Sequence, residues 1–392
     1  MMSFVKDFSL SALIAGFVTV LVGFTSSAVI VFQAAHAFGA TPAEVASWMW
    51  ALGLGMGATC ILLSLRFKVP VVTAWSTPGA AMLISAGAGV PMAQAIGAFM
   101  VSALLMALFG FTGGFERSIK RIPMSLASGM LAGVLLRFGL DVFAAMQTQF
   151  LLAFAMFCTY LLARRLLPRY AVISALAVGS AIAAAQGLLQ LDGITLELAQ
   201  PLWTTPQFSV SAIIGIALPL FIVTMASQNM PGVAVIRASG YTVPISPLIG
   251  WTGSTTLLLA PFGAYALNLA AITAAICMGR EAHEDPARRY VAAVAAGAFY
   301  LLIGLFGATV AAVFAALPKE LVQVIAGLAL FGTIGNGLAA ALAREGEREP
   351  ALVTFLVTAS GITLFGIGSA FWGLLAGVLA LLLMLAGRKS KK

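Results

Sequence analysis

The chain has 392 residues, 61% of them hydrophobic and 9% charged, with a mean hydropathy of +1.05. Soluble globular domains of average usage do not have this balance, so the chain reads as an integral membrane protein. Its formal net charge of +8 calls for no nucleic-acid partner, because the basic residues are scattered over short breaks between apolar runs instead of forming one patch.

At about 20 residues per spanning helix, the apolar sequence divides into fourteen segments. The first, 9–36, follows Lys6 and ends near Ala35-His36-Ala37, a pattern that imitates a signal peptide and its cleavage site. Its apolar stretch is about twice the usual length for such a leader and contains Gly and Ser, so it is expected to be the first transmembrane helix. Ser26, Ser27 and Gln33 are polar side chains within it. The second segment is 42–65. The third, 71–88, is short for a crossing and opens on Pro70-Val-Val-Thr-Ala-Trp-Ser-Thr-Pro-Gly79. Thr77 is placed to cap a helix there, with Pro78 at the first helical position, where a missing N–H costs nothing. Segments 92–115, 123–140, 147–167 and 170–188 follow. Arg137 and Asp141 are expected to pair at i,i+4 near the end of the fifth.

The eighth segment, 209–236, is interrupted by Ser227-Gln228-Asn229 and then Pro231. An unsatisfied amide in hydrocarbon loses roughly 4–8 kcal/mol, so these three side chains are expected to face protein, water or a ligand. After 246–261 comes a second short segment, 266–279, which opens on Pro261-Phe-Gly-Ala-Tyr-Ala-Leu-Asn-Leu-Ala270 and offers Asn268 as a cap. The last four segments are 289–316, 318–341, 350–366 and 368–387.

With the N-terminus inside, all of the 21 Lys and Arg except Arg137 and Lys319 fall at cytoplasmic ends. This one-sidedness follows the positive-inside rule and predicts that both termini are cytoplasmic. Two sequence echoes lie seven segments apart. Ile122-Pro123 with Leu126 and Ala132-Gly133 matches Leu317-Pro318 with Leu321 and Ala326-Gly327, and the openings of the third and tenth segments match each other. An odd repeat of seven must invert across the membrane, which predicts a 7+7 inverted repeat.

In such a repeat the two short helices start near the bilayer midplane from opposite sides. Their first N–H groups lack partners and carry the positive end of the helix dipole, a place for an anionic ligand group. All 13 Asp and Glu lie in loops, tails or segment ends. The expected site is therefore neutral and polar. It has the hydroxyls of Ser26, Ser27, Ser76 and Thr77, the amides of Gln33, Gln228, Asn229 and Asn268, and the aromatic rings of Trp75, Phe262 and Tyr265 as an apolar slot or as packing. A carboxylate fixed there would repel an anion by about 4 kcal/mol at 4 Å and an effective dielectric near 20.

Cys60, Cys158 and Cys277 are far apart and lack metal-ligand spacing, no phosphate-binding loop of the ATPase type occurs, and no catalytic constellation faces the expected site. No cofactor, metal or enzyme activity is expected. An anion channel remains an alternative to a carrier.

The runs Thr77-Pro-Gly-Ala-Ala81, Leu135-Leu-Arg-Phe-Gly139, Arg169-Tyr-Ala-Val172, Thr224-Met-Ala-Ser-Gln-Asn229, Ser246-Pro-Leu-Ile249, Ala271-Ile-Thr-Ala-Ala-Ile-Cys277, Phe355-Leu-Val-Thr-Ala-Ser-Gly361 and Gly366-Ile-Gly-Ser-Ala-Phe-Trp372 resemble the benzoate:proton symporter family of the BenE type. The resemblance spans nearly the whole chain. It implies proton-coupled uptake of benzoate or a related aromatic carboxylate across the bacterial inner membrane by alternating access. Through that family's likeness to uracil and xanthine carriers it also implies a uracil-transporter-like all-α fold, with short strands before half-helices three and ten. Residues 1–115 and 207–316 would form a core domain and residues 116–206 and 317–392 a gate domain, with a homodimer through the gate. The nucleobase carriers place acidic residues at the positions of Ser227 and Leu267, and both are absent here. Nucleobases or another small anion on the same fold are the alternative cargo. The proton is expected on the substrate itself, on His36 or at the Arg137/Asp141 pair.

Overall fold

The structure, a computed structural model, describes residues 7–87, 89–114, 124–167, 170–190, 195–280, 282–362, 364 and 369–389. The first half runs α1 (Leu10–Ala37), α2 (Pro42–Phe67), β1 (Thr73–Trp75), α3 (Thr77–Ala86), α4 (Met92–Phe111), α5 (Met124–Ala144), α6 (Phe150–Leu166) and α7 (Ala171–Ala185). The second runs α8 (Val210–Arg237), α9 (Ile245–Leu259), β2 (Leu267–Leu269), α10 (Ile272–Met278), α11 (Tyr290–Leu305), α12 (Gly307–Ala315), α13 (Lys319–Leu342), α14 (Arg348–Ala359) and α15 (Ser369–Lys389).

Local signals set several of these starts. Ser9 caps α1 by accepting from the Ala12 N–H, and Thr41 with Glu44 forms a capping box ahead of α2, with Pro42 in its first turn. The apolar segments are helical, but fourteen full crossings do not survive. Six described helices are long and apolar enough to span a membrane, or seven if the bent α1 is counted as one. Several others are shorter than a crossing. α3 has 10 residues, α10 has 7 and α14 has 12, and the eleventh segment breaks at Phe306, which leaves the 9-residue α12 apart from α11. Hydropathy counts apolar residues and cannot see where the backbone leaves the helix. The Ile122-Pro123 half of the first echo lies outside the described residues.

Long helices pack closely where small residues meet. α2 crosses α11 through Gly53, Gly57, Gly297 and Gly304, and a Cβ on either Gly57 or Gly297 would stand 2.8 Å from the other's carbonyl oxygen. Without a hydrophobic drive between helices in lipid, such approach supplies the contact energy. α4 packs on α9 and α1 on α11, while α5 packs on α13 and α14, and α14 on α15.

Two helices are deformed for legible reasons. α1 bends by 43° between Phe24 and Ser27, where the Ser27 hydroxyl donates to the Gly23 carbonyl at 2.8 Å and competes with the ladder. α8 contains two wide π turns, Ile213–Ala217 and Met225–Asn229, each followed two residues later by a proline, Pro219 and Pro231. A proline has no N–H to continue the i→i−4 pattern, and the preceding turn widens.

Candidate functional site

β1 and β2 pair antiparallel in the protein interior, with Thr73 opposite Leu269, Ala74 opposite Asn268 and Trp75 opposite Leu267. The ladder continues through Ser76 N–H to the Ala266 carbonyl at 3.1 Å and Ala270 N–H to the Val72 carbonyl at 2.9 Å. Each strand thereby satisfies the other's backbone at a depth where water is scarce. Ala266 takes a left-handed φ of 40°, and its carbonyl also accepts from Asn268 Nδ2 at 2.9 Å. Left-handed backbone without glycine is costly and persists only where neighbours enforce it.

The pairing delivers the starts of α3 and α10 to one cavity of about 410 Å³, lined at those starts by Thr77 and Pro78 and by Ala270, Ala271 and Thr273. Ser27 of α1, Trp75 of β1 and Ser227 and Gln228 of α8 complete one wall. Met124, Ser128 and Leu131 of α5 and Leu330, Asn336 and Ala340 of α13 line the cavity as well. No described lining residue is acidic or basic.

The expected residues divide sharply. Ser227 and Gln228 are half-buried, line the cavity, and have no hydrogen-bond partner among the described residues. Trp75 and Ser27 also line it, but Trp75 Nε1 donates to Ser27 Oγ at 2.9 Å, so each is held by the other. Thr77 lines the cavity without being the cap. The cap is Ser76, fully buried, whose Oγ accepts from the Gly79 N–H at 3.0 Å. The Thr77 N–H therefore begins the helix with no acceptor among the described residues.

Six expectations are corrected. Asn229 is fully buried and faces away from the cavity, its Oδ1 accepting from the Leu269 N–H at 3.0 Å. It clamps α8 to β2 because the π turn rotates it off the face shared by Ser227 and Gln228. Asn268 lies inside β2 and caps nothing; Ala271 precedes α10 without a side-chain cap. Leu267 faces Gly55 from the other side of the strand, its N–H held by Thr256 Oγ1 at 3.1 Å. Tyr265 is buried among Trp48 and Phe99, with both ring centroids 5.9 Å away. Gln33 lines a different cavity nearer the end of α1. No ion pair joins Arg137 to Asp141 among the described residues. The side chain of Ser26 is outside the described residues.

Four polar lining residues lack an equivalent in the sequence reading: Ser128, Thr273, Tyr300 and Asn336. Asn336 carried a usable signal, an isolated amide within an apolar segment. Tyr300 did not, since its hydroxyl reaches the cavity only because Gly23 leaves room; a Cβ there would stand 3.1 Å from that oxygen. Behind α10, the buried Arg289 guanidinium donates to the carbonyls of Met278, His283 and Glu284 at 2.8, 2.6 and 3.2 Å. A cation at the helix C-terminus complements the dipole and fixes the far end of the helix whose start faces the cavity.

The arrangement, two short helices opening on one buried neutral cavity, is shared with solved membrane proteins. The overall structure of SLC26A9 matches with a TM-score of 0.65 at 13% identity, covering 99% of this chain and 67% of that one. The transmembrane domain of a cyanobacterium bicarbonate transporter, BicA, matches with a TM-score of 0.56 at 14% identity, covering 94% and 97%. The expected uracil-transporter-like fold is thus corrected to that of SLC26A9 and BicA, a distinction carried by three-dimensional arrangement that hydropathy and short motifs do not encode.

The family described as benzoate membrane transport protein matches residues 6–383, and the chain belongs to it. Inner membrane protein YdcO of Escherichia coli K12 is 52% identical over 365 residues, 93% of each chain. The benzoate membrane transport protein of Acinetobacter baylyi is 40% identical over 385 residues, 98% of each. The chain is a membrane transporter, not an enzyme.

Proposed function

We propose that this transporter carries benzoate or a closely related aromatic carboxylate, together with a proton, into the bacterial cell. The observation that carries the reading is a neutral cavity where Gln228, Ser227 and the α3 start offer unpartnered polar groups and no fixed negative charge competes with a carboxylate. Its volume of about 410 Å³ falls in the range of roughly 300–1,000 Å³ for small-molecule sites. Trp75 and Tyr300 border the cavity beside those groups with only the edges of their rings, both side chains being almost fully buried. The Acinetobacter relative named for benzoate supports the same cargo.

Transport proceeds by alternating access, residues 1–115 and 207–316 moving as a core against a gate of residues 116–206 and 317–392. The cavity has walls from both groups, which favours a substrate held between them. The basic residues favour cytoplasmic termini, and the proton travels with the substrate or by way of His36.

Labelled benzoate uptake into inverted or right-side-out vesicles, competed by hydroxybenzoates, uracil and sulfate, tests the cargo. Benzoate is expected to accumulate and hydroxybenzoates to compete. If uracil or sulfate competes and benzoate does not accumulate, the carboxylate reading fails.

A further inference from the structure

A second cavity, of about 500 Å³, is lined by Val29, Phe32, Gln33 and His36 of α1, by Glu197 ahead of α8, and by Phe314 of α12 and Val322 of α13. The first cavity meets α13 from Leu330 to Ala340, a stretch that at 1.5 Å per residue begins about 12 Å along the helix from Val322. The two voids therefore lie toward opposite ends of α13. Between them runs an unbroken line of rings: Phe32 lies 4.8 Å from Phe314, Phe314 lies 6.2 Å from Phe24, and Phe24 stands edge-on to Trp75 at 5.6 Å. Phe32 and Phe314 face the second cavity and Trp75 faces the first. Phe24 is buried and ends the first limb of α1 at its 43° bend.

We propose that Phe24, Phe32 and Phe314 form a closed aromatic gate between two vestibules of one permeation path, and that the second cavity is the vestibule reached from the opposite face of the membrane. Packed rings exclude water and a charged carboxylate, so the voids are discontinuous while the rings touch. All three rings lie within residues 1–115 and 207–316, so they part by movement of the first limb of α1 about its bend, a motion inside the core and separate from the core's movement against the gate domain. Once the rings part, an aromatic acid passes from the polar groups of the first cavity toward Gln33 in the second. The identity of that acid rests on the function proposed above, whereas the gate does not.

The test uses the full chain carrying Cys158→Ser, because Cys60 and Cys277 are buried. Gln33→Cys and Ala340→Cys report on the second and first cavities, and a membrane-impermeant maleimide is applied to sealed vesicles of either orientation. Each cysteine is expected to react from one face only, and from opposite faces. Adding Phe314→Ala, or the milder Phe314→Leu or Phe24→Leu if that variant fails to insert, is expected to make Ala340→Cys reactive from both faces. Labelling of both cysteines from the same face, or sidedness unchanged in every inserted gate variant, overturns the gate. Benzoate uptake measured on the same vesicles separates the two claims: correct sidedness without uptake supports the gate and refutes only the cargo.

Discussion

Gln228 and Asn229 are neighbours in the chain with opposite surroundings. Gln228 faces the cavity with no partner among the described residues, while Asn229 holds the Leu269 N–H of β2. Gln228→Ala should weaken benzoate binding by about 1–3 kcal/mol and leave thermal stability nearly unchanged. Asn229→Ala should do the reverse, lowering stability by about 1–3 kcal/mol because a buried N–H loses its acceptor. Uptake kinetics and a melting curve on each purified variant check this split. Ser227→Glu places a negative charge in the neutral cavity, and at about 4 Å the repulsion of about 4 kcal/mol should abolish carboxylate uptake. Uptake near the parent level in that variant would remove Ser227 from contact with the substrate.

At the scale of elements, the wide turn Met225–Asn229 is what points Ser227 and Gln228 into the cavity and Asn229 away from it. Pro231→Ala returns an N–H to the ladder opposite the Ser227 carbonyl, so the turn should tighten toward α-helix and rotate these side chains. The expected result is lost uptake with unchanged helix content, measured by circular dichroism on the same preparation. The interruption itself was legible in the sequence as three polar residues and a proline in an apolar run. Its consequence was not, because a π turn adds one residue, so the helical phase drifts through the turn and reaches about 100° beyond it, which no helical wheel anticipates. The same limit applies to α3. Thr77-Pro78 announces a helix start, yet the backbone begins one residue earlier and Ser76 takes the cap.

At the scale of the molecule, coupling to the proton gradient predicts that a protonophore collapses concentrative benzoate uptake while downhill exchange persists. Accumulation that survives the protonophore, measured with labelled benzoate in energised vesicles, would disprove proton coupling. A homodimer through α5–α7 and α13–α15 is the proposed assembly, to be tested by the mass of the detergent-solubilised protein from light scattering.

Composition alone determined that the chain lives in a bilayer, and a lone polar run at membrane depth pointed to Ser227 and Gln228, because unsatisfied polar groups in hydrocarbon are too costly to be accidental. Tertiary structure decided which polar groups remain available. Ser76, Asn229 and Asn268 look equivalent to Gln228 in one dimension, yet all three are fully buried and each bonds a backbone group of its own or a neighbouring element, Asn268 through Nδ2 alone. Tertiary structure also decided that Ser128, Thr273, Tyr300 and Asn336, drawn from four different helices, meet at one cavity. Hydrogen-bond partners and helix phase are properties of packed elements, so they cannot be read from the order of residues.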